Sequence, residues 1–307
     1  MMVVEAHNVV KRFGAREAVA GIDLSVPPGV CFGLLGPNGA GKTTTLRMVY
    51  GVIRPTSGTV HVFGIDVAKH PRAVRSRLGV TLQQNVLIEA LSPVENLRVF
   101  GRYHLLERSV LERRVEELLD FLELRSHAHV PVKHLSGGFQ RRLAIALSLV
   151  NDPELLILDE PTTGLDPAVR LALWARVRAL RAAGKTVLLT THYMDEAQRL
   201  CDRVAIVSQG KVLSEGAPEA LIATHLAREA LECECEEREV PVLLDGLPVA
   251  QVLRTGDRLT VYADDVSAIA DVIRARDGGE RRTLVLRPTN LEDVFLALTG
   301  STLEGEA

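Results

Sequence analysis

Apolar and polar positions along the chain follow two different periods, which predicts a mixture of strands and helices. Apolar and polar residues alternate at residues 3–10 and 21–26 as in strands, which indicates two strands of an antiparallel region. Unbroken apolar runs such as Leu155–Asp159 indicate strands that are buried on both faces, and amphipathic stretches such as Pro167–Ala182 lie between them. This order of elements predicts a mainly parallel sheet that is covered by helices.

The pattern changes twice, in the middle of the chain and near its end. Helical patterns at residues 94–103 and 110–122 predict a helical insertion between Gln83 and Ser136, and an irregular apolar loop at residues 85–91 precedes them. Beyond about Thr224, a hairpin, two helices and further strands predict a small α+β accessory domain. We therefore expect one domain at residues 1–224, with a helical subdomain at about 84–135, and a second at residues 225–307.

Composition narrows the possible functions. A chain of 307 residues with 47% apolar content is long enough for two domains with buried cores, and a net charge of −3 argues against a nucleic-acid partner. Apolar runs stay below the length of about 18 residues expected of a membrane helix, and the first residues lack a secretion-signal pattern. Both features, with the scattered cysteines, predict a cytosolic protein.

Several clusters of charged residues and cysteines have two interpretations. The pairs Arg141-Arg142 and Arg281-Arg282 are interpreted as solvated positions, and the acidic run at residues 232–237 either as solvated surface or as a partner-binding strip. Cys233-Glu234-Cys235 places both thiols on one strand face, where we favour packing over a metal or redox pair.

A glycine-rich segment after the apolar run 30–35 carries the strongest chemical signal. Its sequence fits the pattern G-x-x-x-x-G-K-[ST] and precedes a helical stretch, which is the placement that phosphate binding requires. Glycines let successive backbone N–H groups surround an anion, and the following helix directs its partly positive end at the same group. The phosphate loop consists of Gly36, Pro37, Asn38, Gly39, Ala40, Gly41, Lys42 and Thr43. It predicts that the chain binds a nucleoside triphosphate.

Two later segments specify the kind of nucleotide protein. The signature segment, Leu135-Ser136-Gly137-Gly138-Phe139-Gln140, begins an apolar helix, for which Ser136 is the expected N-cap. The buried strand Leu155–Asp159 then ends in Asp159 and Glu160, at the edge where open parallel sheets bind ligands. Asp159 suits Mg²⁺, and Glu160 suits an attacking water molecule.

In this order the segments resemble the ATP-binding-cassette ATPases over about residues 3–223. The resemblance includes a glutamine loop at Gln83, a D-loop at Gly164-Leu165-Asp166 and a switch histidine at His192. One departure is Phe139, which stands where many members of the family have glutamine. Residues 78–83 and 191–203 further resemble the drug-resistance and nodulation-factor exporter branch, as does the end of the chain at residues 291–296.

The resemblance implies an α/β fold of the P-loop NTPase class, with ATP and Mg²⁺ as cofactors and a role for each matching residue. The implied catalytic residues are Glu160, His192 and Gln83, and the implied metal ligands are Thr43, Gln83 and Asp159. Besides the phosphate loop, the nucleotide would contact Phe13, which stacks on adenine, and Thr44. A second copy of the chain would contact the same nucleotide through Ser136, Gly137, Gly138, Gln140 and Asp166.

The family resemblance also implies partners. Two copies would form a head-to-tail homodimer around ATP and would separate after hydrolysis, at the cytoplasmic face of a membrane where a separate transmembrane permease subunit binds. The apolar loop would contact that subunit, although a core position for it is equally open. Two other functions remain possible: an ATPase of this class that acts on ribosomes or DNA, and a nucleotide-binding regulator without activity.

Overall fold

The computed structural model describes residues 1–277 and 282–300 of the chain. The chain divides into two compact units, Met1–Val212 and Leu213–Ala307, which we describe separately. The division lies before the change in composition near Thr224, and the domain boundary predicted from that change stays a prediction. Residues 278–281 and 301–307 of the predicted accessory domain, Arg281 among them, lie outside the described residues.

The strands of the first unit form two sheets. Their bounds are β1 Val4–Phe13, β2 Arg16–Val26, β3 Cys31–Leu35, β4 Ser57–Val62, β5 Ile65–Asp66, β6 Leu78–Thr81, β7 Leu155–Asp159, β8 Thr186–Thr191, β9 Arg203–Ser208 and β10 Lys211–Gly216, the last of which begins in the first unit and ends in the second. The outer sheet is antiparallel and has the order β2-β1-β4-β5. The central sheet has the order β10-β9-β3-β8-β7-β6, in which the pairs from β9 to β6 are parallel.

Parallel register in the central sheet brings four strand ends to one edge. Leu35 at the end of β3 pairs with Thr191 at the end of β8, and Asp159 at the end of β7 pairs with Thr190. Thr81 at the end of β6 pairs with Leu158. The loops that follow β3, β8, β7 and β6 therefore begin side by side, and these loops carry the phosphate loop, His192, Glu160 and Gln83.

Helices cover this sheet and form the insertion. Their bounds are α1 Lys42–Val49, α2 Pro71–Arg75, α3 Pro93–Tyr103, α4 Arg108–Phe121, α5 Gly137–Leu149, α6 Pro167–Ala182 and α7 Met194–Leu200, with 3₁₀ turns at Arg125–His127 and Val132–His134. Ser92 and Glu95 form a capping box at the start of α3, where Pro93 occupies the first turn. Arg98 of α3 forms a bidentate ion pair with Glu112 of α4, in which Nε donates to Oε1 and Nη2 donates to Oε2.

The apolar loop lies at the surface. Val86 is 62% exposed, and Ile88 is also exposed. Asn96 of α3 fixes the loop from inside, because its amide donates hydrogen bonds to the carbonyl groups of Ile88 and Leu91. These observations contradict the possibility that the loop belongs to the core.

The second unit is a small α+β structure. Its elements are α8 Pro218–His225, β11 Glu229–Glu234, α9 Val240–Leu244, β12 Gln251–Thr255, β13 Arg258–Ala263, α10 Val266–Arg276, β14 Val285–Pro288 and α11 Leu291–Thr299, with a 3₁₀ turn at Glu237–Glu239. The sheet is antiparallel in the order β12-β13-β11-β14. Cys233 and Cys235 are free thiols that belong to the same buried apolar core as Ile269 and Ile273, which agrees with the packing role.

Candidate active site

The phosphate loop turns tightly between β3 and α1. Gly39 and Gly41 have φ angles of 81° and 103°, which side chains other than glycine rarely adopt. A Cβ atom at Gly36 would lie 2.1 Å from the carbonyl oxygen of Val207, so this position has no room for a side chain. Within the described part of the chain, no side chain caps the start of α1 at Gly41. The N–H groups of its first turn therefore remain available to an anion.

The loop forms one wall of a cleft of about 550 Å³. The cleft is lined by Phe13, Arg16, Ala18, Pro37, Asn38, Gly39, Ala40, Gly41, Lys42, Thr43, Thr44, Gln83 and Glu160. Phe13 is 51% exposed at the end of β1, with the ammonium group of Lys11 5.1 Å from its ring centre. An exposed aromatic ring beside a cleft with polar walls suits stacking on a base.

Lys42 is buried at the floor of the cleft. Its Nζ atom donates hydrogen bonds to the carbonyl oxygens of Gly36 at 2.6 Å and Pro37 at 3.0 Å. The same atom lies 3.6 Å from Oε1 of Glu160. Burial lowers the pKa of Lys42, and the charges of Glu160 and Asp159 oppose this shift.

Thr43 and Asp159 bring oxygen atoms together from two elements. The Thr43 hydroxyl donates to Oδ1 of Asp159 at 3.0 Å, and the Thr190 hydroxyl donates to the same oxygen at 2.6 Å. Hydroxyl and carboxylate oxygens are ligands that Mg²⁺ prefers. The chemistry of these groups therefore fits the predicted metal, with Gln83 nearby.

Glu160 lies where the predicted catalytic groups meet. Its carboxylate is 3.4 Å from Nδ1 of His192 and accepts a hydrogen bond from Nε2 of Gln83 at 3.2 Å. The close contact with His192 and the charge of Lys42 lower the pKa of Glu160, so the side chain is ionised at neutral pH. The φ angle of Glu160 is 46°, a conformation that is strained for a residue with a side chain.

The signature segment presents an open helix start at another place on the first unit. Ser136 is the N-cap of α5, but its hydroxyl makes no capping hydrogen bond to any residue that the structure describes. Ser136 and Gly137 are exposed, as is Asp166 at the start of α6. Gln140 differs, because its amide donates to the carbonyl oxygens of Val132 and Leu135 and so supports its own loop.

The interpretation of the neighbouring Arg141 as a solvated residue is wrong. The side chain was expected in solvent, but it is 4% exposed and its guanidinium donates hydrogen bonds to the carbonyl oxygens of Asp159 and Glu160. Arg142 lies nearer the surface and pairs with Glu123. The sequence contained a signal for this burial, because position 141 shares a helix face with the buried residues at 144, 145 and 148.

Comparison with known proteins decides the family. Residues 19–163 match the family model described as ABC transporter. The "Nod factor export ATP-binding protein I" of Sinorhizobium fredii is 45% identical over 303 residues, which cover 99% of this chain and 88% of that protein. The protein of the same name from Cupriavidus metallidurans is 44% identical and covers 97% of both. The chain belongs to the ABC transporter ATPase family.

Solved structures agree with this assignment. An ATP-binding subunit of an ABC transporter has a TM-score of 0.66 at 29% identity and covers 72% of this chain and 92% of its own. A dimeric cassette in a post-hydrolysis state with bound ADP and Pi has a TM-score of 0.64 at 28% identity and covers 70% and 98%. The predicted fold class and the assignment to ATP-binding ATPases are confirmed, and the roles of individual site residues stay predictions.

The second unit has a separate match. Residues 248–300 match the model described as "Nodulation factor export protein NodI, C-terminal domain". The resemblance of the chain's end to the exporter branch is thereby confirmed. Within residues 1–277 and 282–300, every helix is too short or too polar to cross a bilayer.

Proposed function

We propose that this ABC ATPase hydrolyses ATP with Mg²⁺ in a head-to-tail homodimer and drives export through a separate membrane subunit. One observation carries the proposal: four adjacent strand ends bring the phosphate loop, Gln83 and Glu160 to one cleft and place His192 beside Glu160. A cleft with this set of groups is suited to phosphoryl transfer, in which positioning and electrostatics supply most of the catalysis.

Each side chain then has a stated task. Lys42 and the N–H groups of the phosphate loop hold the β- and γ-phosphates, for which Lys42 exchanges its bonds to Gly36 and Pro37. Thr43, Asp159 and Gln83 would hold Mg²⁺, which offsets phosphate charge when it is bound. The residues that act on water and on the γ-phosphate are Glu160 and His192.

Glu160 is ionised and close to the reacting phosphate. Its carboxylate accepts a proton from the water that attacks the γ-phosphate, and Gln83 and His192 fix its orientation from two sides. His192 follows directly after β8, and its Nδ1 atom lies 3.4 Å from the carboxylate of Glu160. We assign it the contact with the γ-phosphate.

The second copy supplies the other wall. Ser136 and Gly137 have exposed polar groups at a helix start that no described side chain caps, which is a second site suited to phosphate. In the head-to-tail dimer these groups, with Gly138 and Asp166, contact the nucleotide held by the opposite copy. Gln140 acts indirectly there, because its amide supports the carbonyl groups of its own loop.

The membrane subunit binds at the apolar loop. An adjoining groove of about 370 Å³ is mostly apolar and includes Leu82, Val86 and Phe100 in its walls. An exposed apolar groove of this kind is suited to a helix of another chain. This contact holds the ATPase at the cytoplasmic face of the membrane. The relatives' names indicate export of nodulation factor, and we propose a drug, lipid-like or oligosaccharide-type substrate.

The Glu160→Gln variant tests the enzymatic part of the proposal. We expect it to bind ATP as the parent does and to lower turnover by about 10²-fold or more, because the amide cannot accept the proton. Sedimentation should show ATP-dependent dimers of this variant. Glu219→Gln, a change of the same kind at an exposed position, serves as the control. Parental turnover, or a monomer that ATP leaves unchanged, would contradict the proposal.

The partner is tested with the chain encoded by the neighbouring reading frame. A permease there should contain about six apolar segments, each of about 20 residues. We expect it to co-purify with the parent ATPase and not with Val86→Asp, which places a charge in the apolar loop. Equal recovery of the permease with both proteins would refute the docking site.

A further inference from the structure

Arg141 connects three parts of the first unit that carry the chemistry. The five N–H groups of its guanidinium contact six acceptors outside α5 at 2.6 to 3.3 Å, so that one N–H of Nη1 is shared between two acceptors. The acceptors are the carbonyl oxygens of Leu82, Gln83, Asp159, Glu160 and Pro161 and the side-chain oxygen Oδ1 of Asn85. One side chain of the signature helix is thus fixed to the glutamine loop and to the segment that follows β7.

The burial of this cation is costly unless it is compensated. Burial lowers the pKa of Arg141 to about 10, and the charges of Asp159, Glu196 and Glu160 oppose the shift. The side chain therefore stays charged at neutral pH. An apolar residue of similar size would avoid the desolvation cost, so a buried charge that uses all its donors indicates a role in positioning.

One hydrogen bond of Arg141 is made to Glu160, whose backbone is strained. Glu160, with its φ angle of 46°, donates its N–H group to the carbonyl and hydroxyl oxygens of Thr190. The Glu160 carbonyl oxygen accepts a hydrogen bond of 2.9 Å from Arg141. Hydrogen bonds from Arg141 and to Thr190 thus hold the unfavourable backbone conformation of Glu160. Loss of either bond would let this backbone move to a more favourable conformation.

We propose that Arg141 is a positioning residue for hydrolysis, which couples the orientation of the signature helix to the placement of Glu160 and of the Gln83 loop. The inference rests on the proposed function. In the head-to-tail dimer, Ser136 of one copy contacts the nucleotide of the other, while Arg141 of the same helix sets the backbone of its own site. A shift of α5 on closure is therefore transmitted to the residues that hydrolyse the second nucleotide.

Three variants test the proposal in the full-length protein. Arg141→Met removes the donors and keeps the volume, and Arg141→Lys keeps the charge with fewer donors. Arg142→Gln is the matched control, since Arg142 pairs with Glu123 near the surface. We expect Arg141→Met to lower kcat by about 10- to 100-fold, the range for small misplacements of reacting groups. KM should change less than about twofold, because Arg141 does not line the cleft.

The expected rank order of kcat is parent and Arg142→Gln, then Arg141→Lys, then Arg141→Met. A kcat of Arg141→Met within about twofold of the parent overturns the proposal, and so does a loss confined to KM. If Arg141→Met fails to fold, the Lys variant decides: full parental kcat there overturns the coupling, and partial loss at parental KM supports it.

A double-mutant cycle separates this inference from a general loss of stability. Asn85→Ala removes one acceptor of Arg141. It should lower kcat in the parent and add no further loss in Arg141→Met, because the two groups act through one contact. Additive losses refute the coupling. A failure of the proposed function would be recognised separately, because that function is tested by ATP hydrolysis of the parent and by dimerisation of Glu160→Gln.

Discussion

Replacement of Lys42 by methionine measures how much one buried cation contributes to ATP affinity, apart from the rest of the phosphate loop. The side chains have similar length, and the ammonium of Lys42 is enclosed by the carbonyl oxygens of Gly36 and Pro37 and the carboxylate of Glu160. Methionine removes the charge and fills the space. Because burial already lowers the pKa of Lys42, the substitution also removes a desolvation penalty. We therefore expect the variant to fold.

The expected loss of ATP affinity depends on which hydrogen bonds the ammonium group of Lys42 exchanges when ATP binds. A hydrogen bond to a charged group contributes about 1.5–3 kcal/mol. In the free protein Nζ already makes two hydrogen bonds, at 2.6 and 3.0 Å, and lies 3.6 Å from a carboxylate oxygen. Binding exchanges these contacts for contacts with phosphate, so the lower part of the range applies. A loss of about 1.5–2 kcal/mol corresponds to a Kd for ATP about 10- to 30-fold weaker.

Titration calorimetry with ATP and Mg²⁺ measures this change. Lys185→Met is the matched control, because it makes the same change in net charge at a residue that pairs with Asp152 outside the cleft. The Kd of Lys185→Met for ATP should stay within about twofold of the parent value, because Lys185 does not line the cleft. Equal affinities of Lys42→Met and Lys185→Met would refute the placement of the phosphates beside Lys42.

Two further substitutions probe the second copy and the buried carboxyl group. Ser136→Arg should leave ATP binding by the monomer unchanged and lower turnover by about 10²-fold, because it blocks the helix start that faces the opposite nucleotide in the proposed dimer; parental turnover would contradict this arrangement. Burial raises the pKa of Glu196, whose carboxylate accepts a hydrogen bond from Trp174, so the ionised form destabilises the fold increasingly as pH rises above the ordinary value of 4.5. The Tm of Glu196→Gln should thus rise relative to that of the parent as the pH increases above the ordinary value of 4.5, whereas the Tm of Glu219→Gln should show no such trend.

The sequence predicted well the elements whose residues all favour one structure. The strand Leu155–Asp159 and the helix Pro167–Ala182 have the predicted bounds, since an unbroken apolar run and a start at proline each leave few alternatives. Chemical patterns with fixed spacing, such as the phosphate loop, carry their geometry with them. Parallel pairing then places Gln83, Glu160 and His192 at one edge without any further information.

Other features depend on contacts that are distant in sequence and were not predictable. The short elements α2 and α9 contain five residues each, too few for a helical period to appear. The apolar loop had two possible positions because its composition suits both the core and an exposed docking surface. Its exposure depends on Asn96, whose amide bonds hold the loop backbone from the side of α3.

The misinterpretation of Arg141 shows why charge alone is a poor guide to burial. Two adjacent arginines on a helix point about 100° apart, so they cannot both share the apolar face. Position 141 is on that face, in line with Ala144, Ile145 and Ser148. A guanidinium can occupy it because the carbonyl groups after β6 and β7 converge there and accept its N–H groups. That convergence exists only because the central sheet places the two strand ends side by side. The helical period thus indicates that position 141 is buried, whereas the acceptors that allow a charge there follow from the fold.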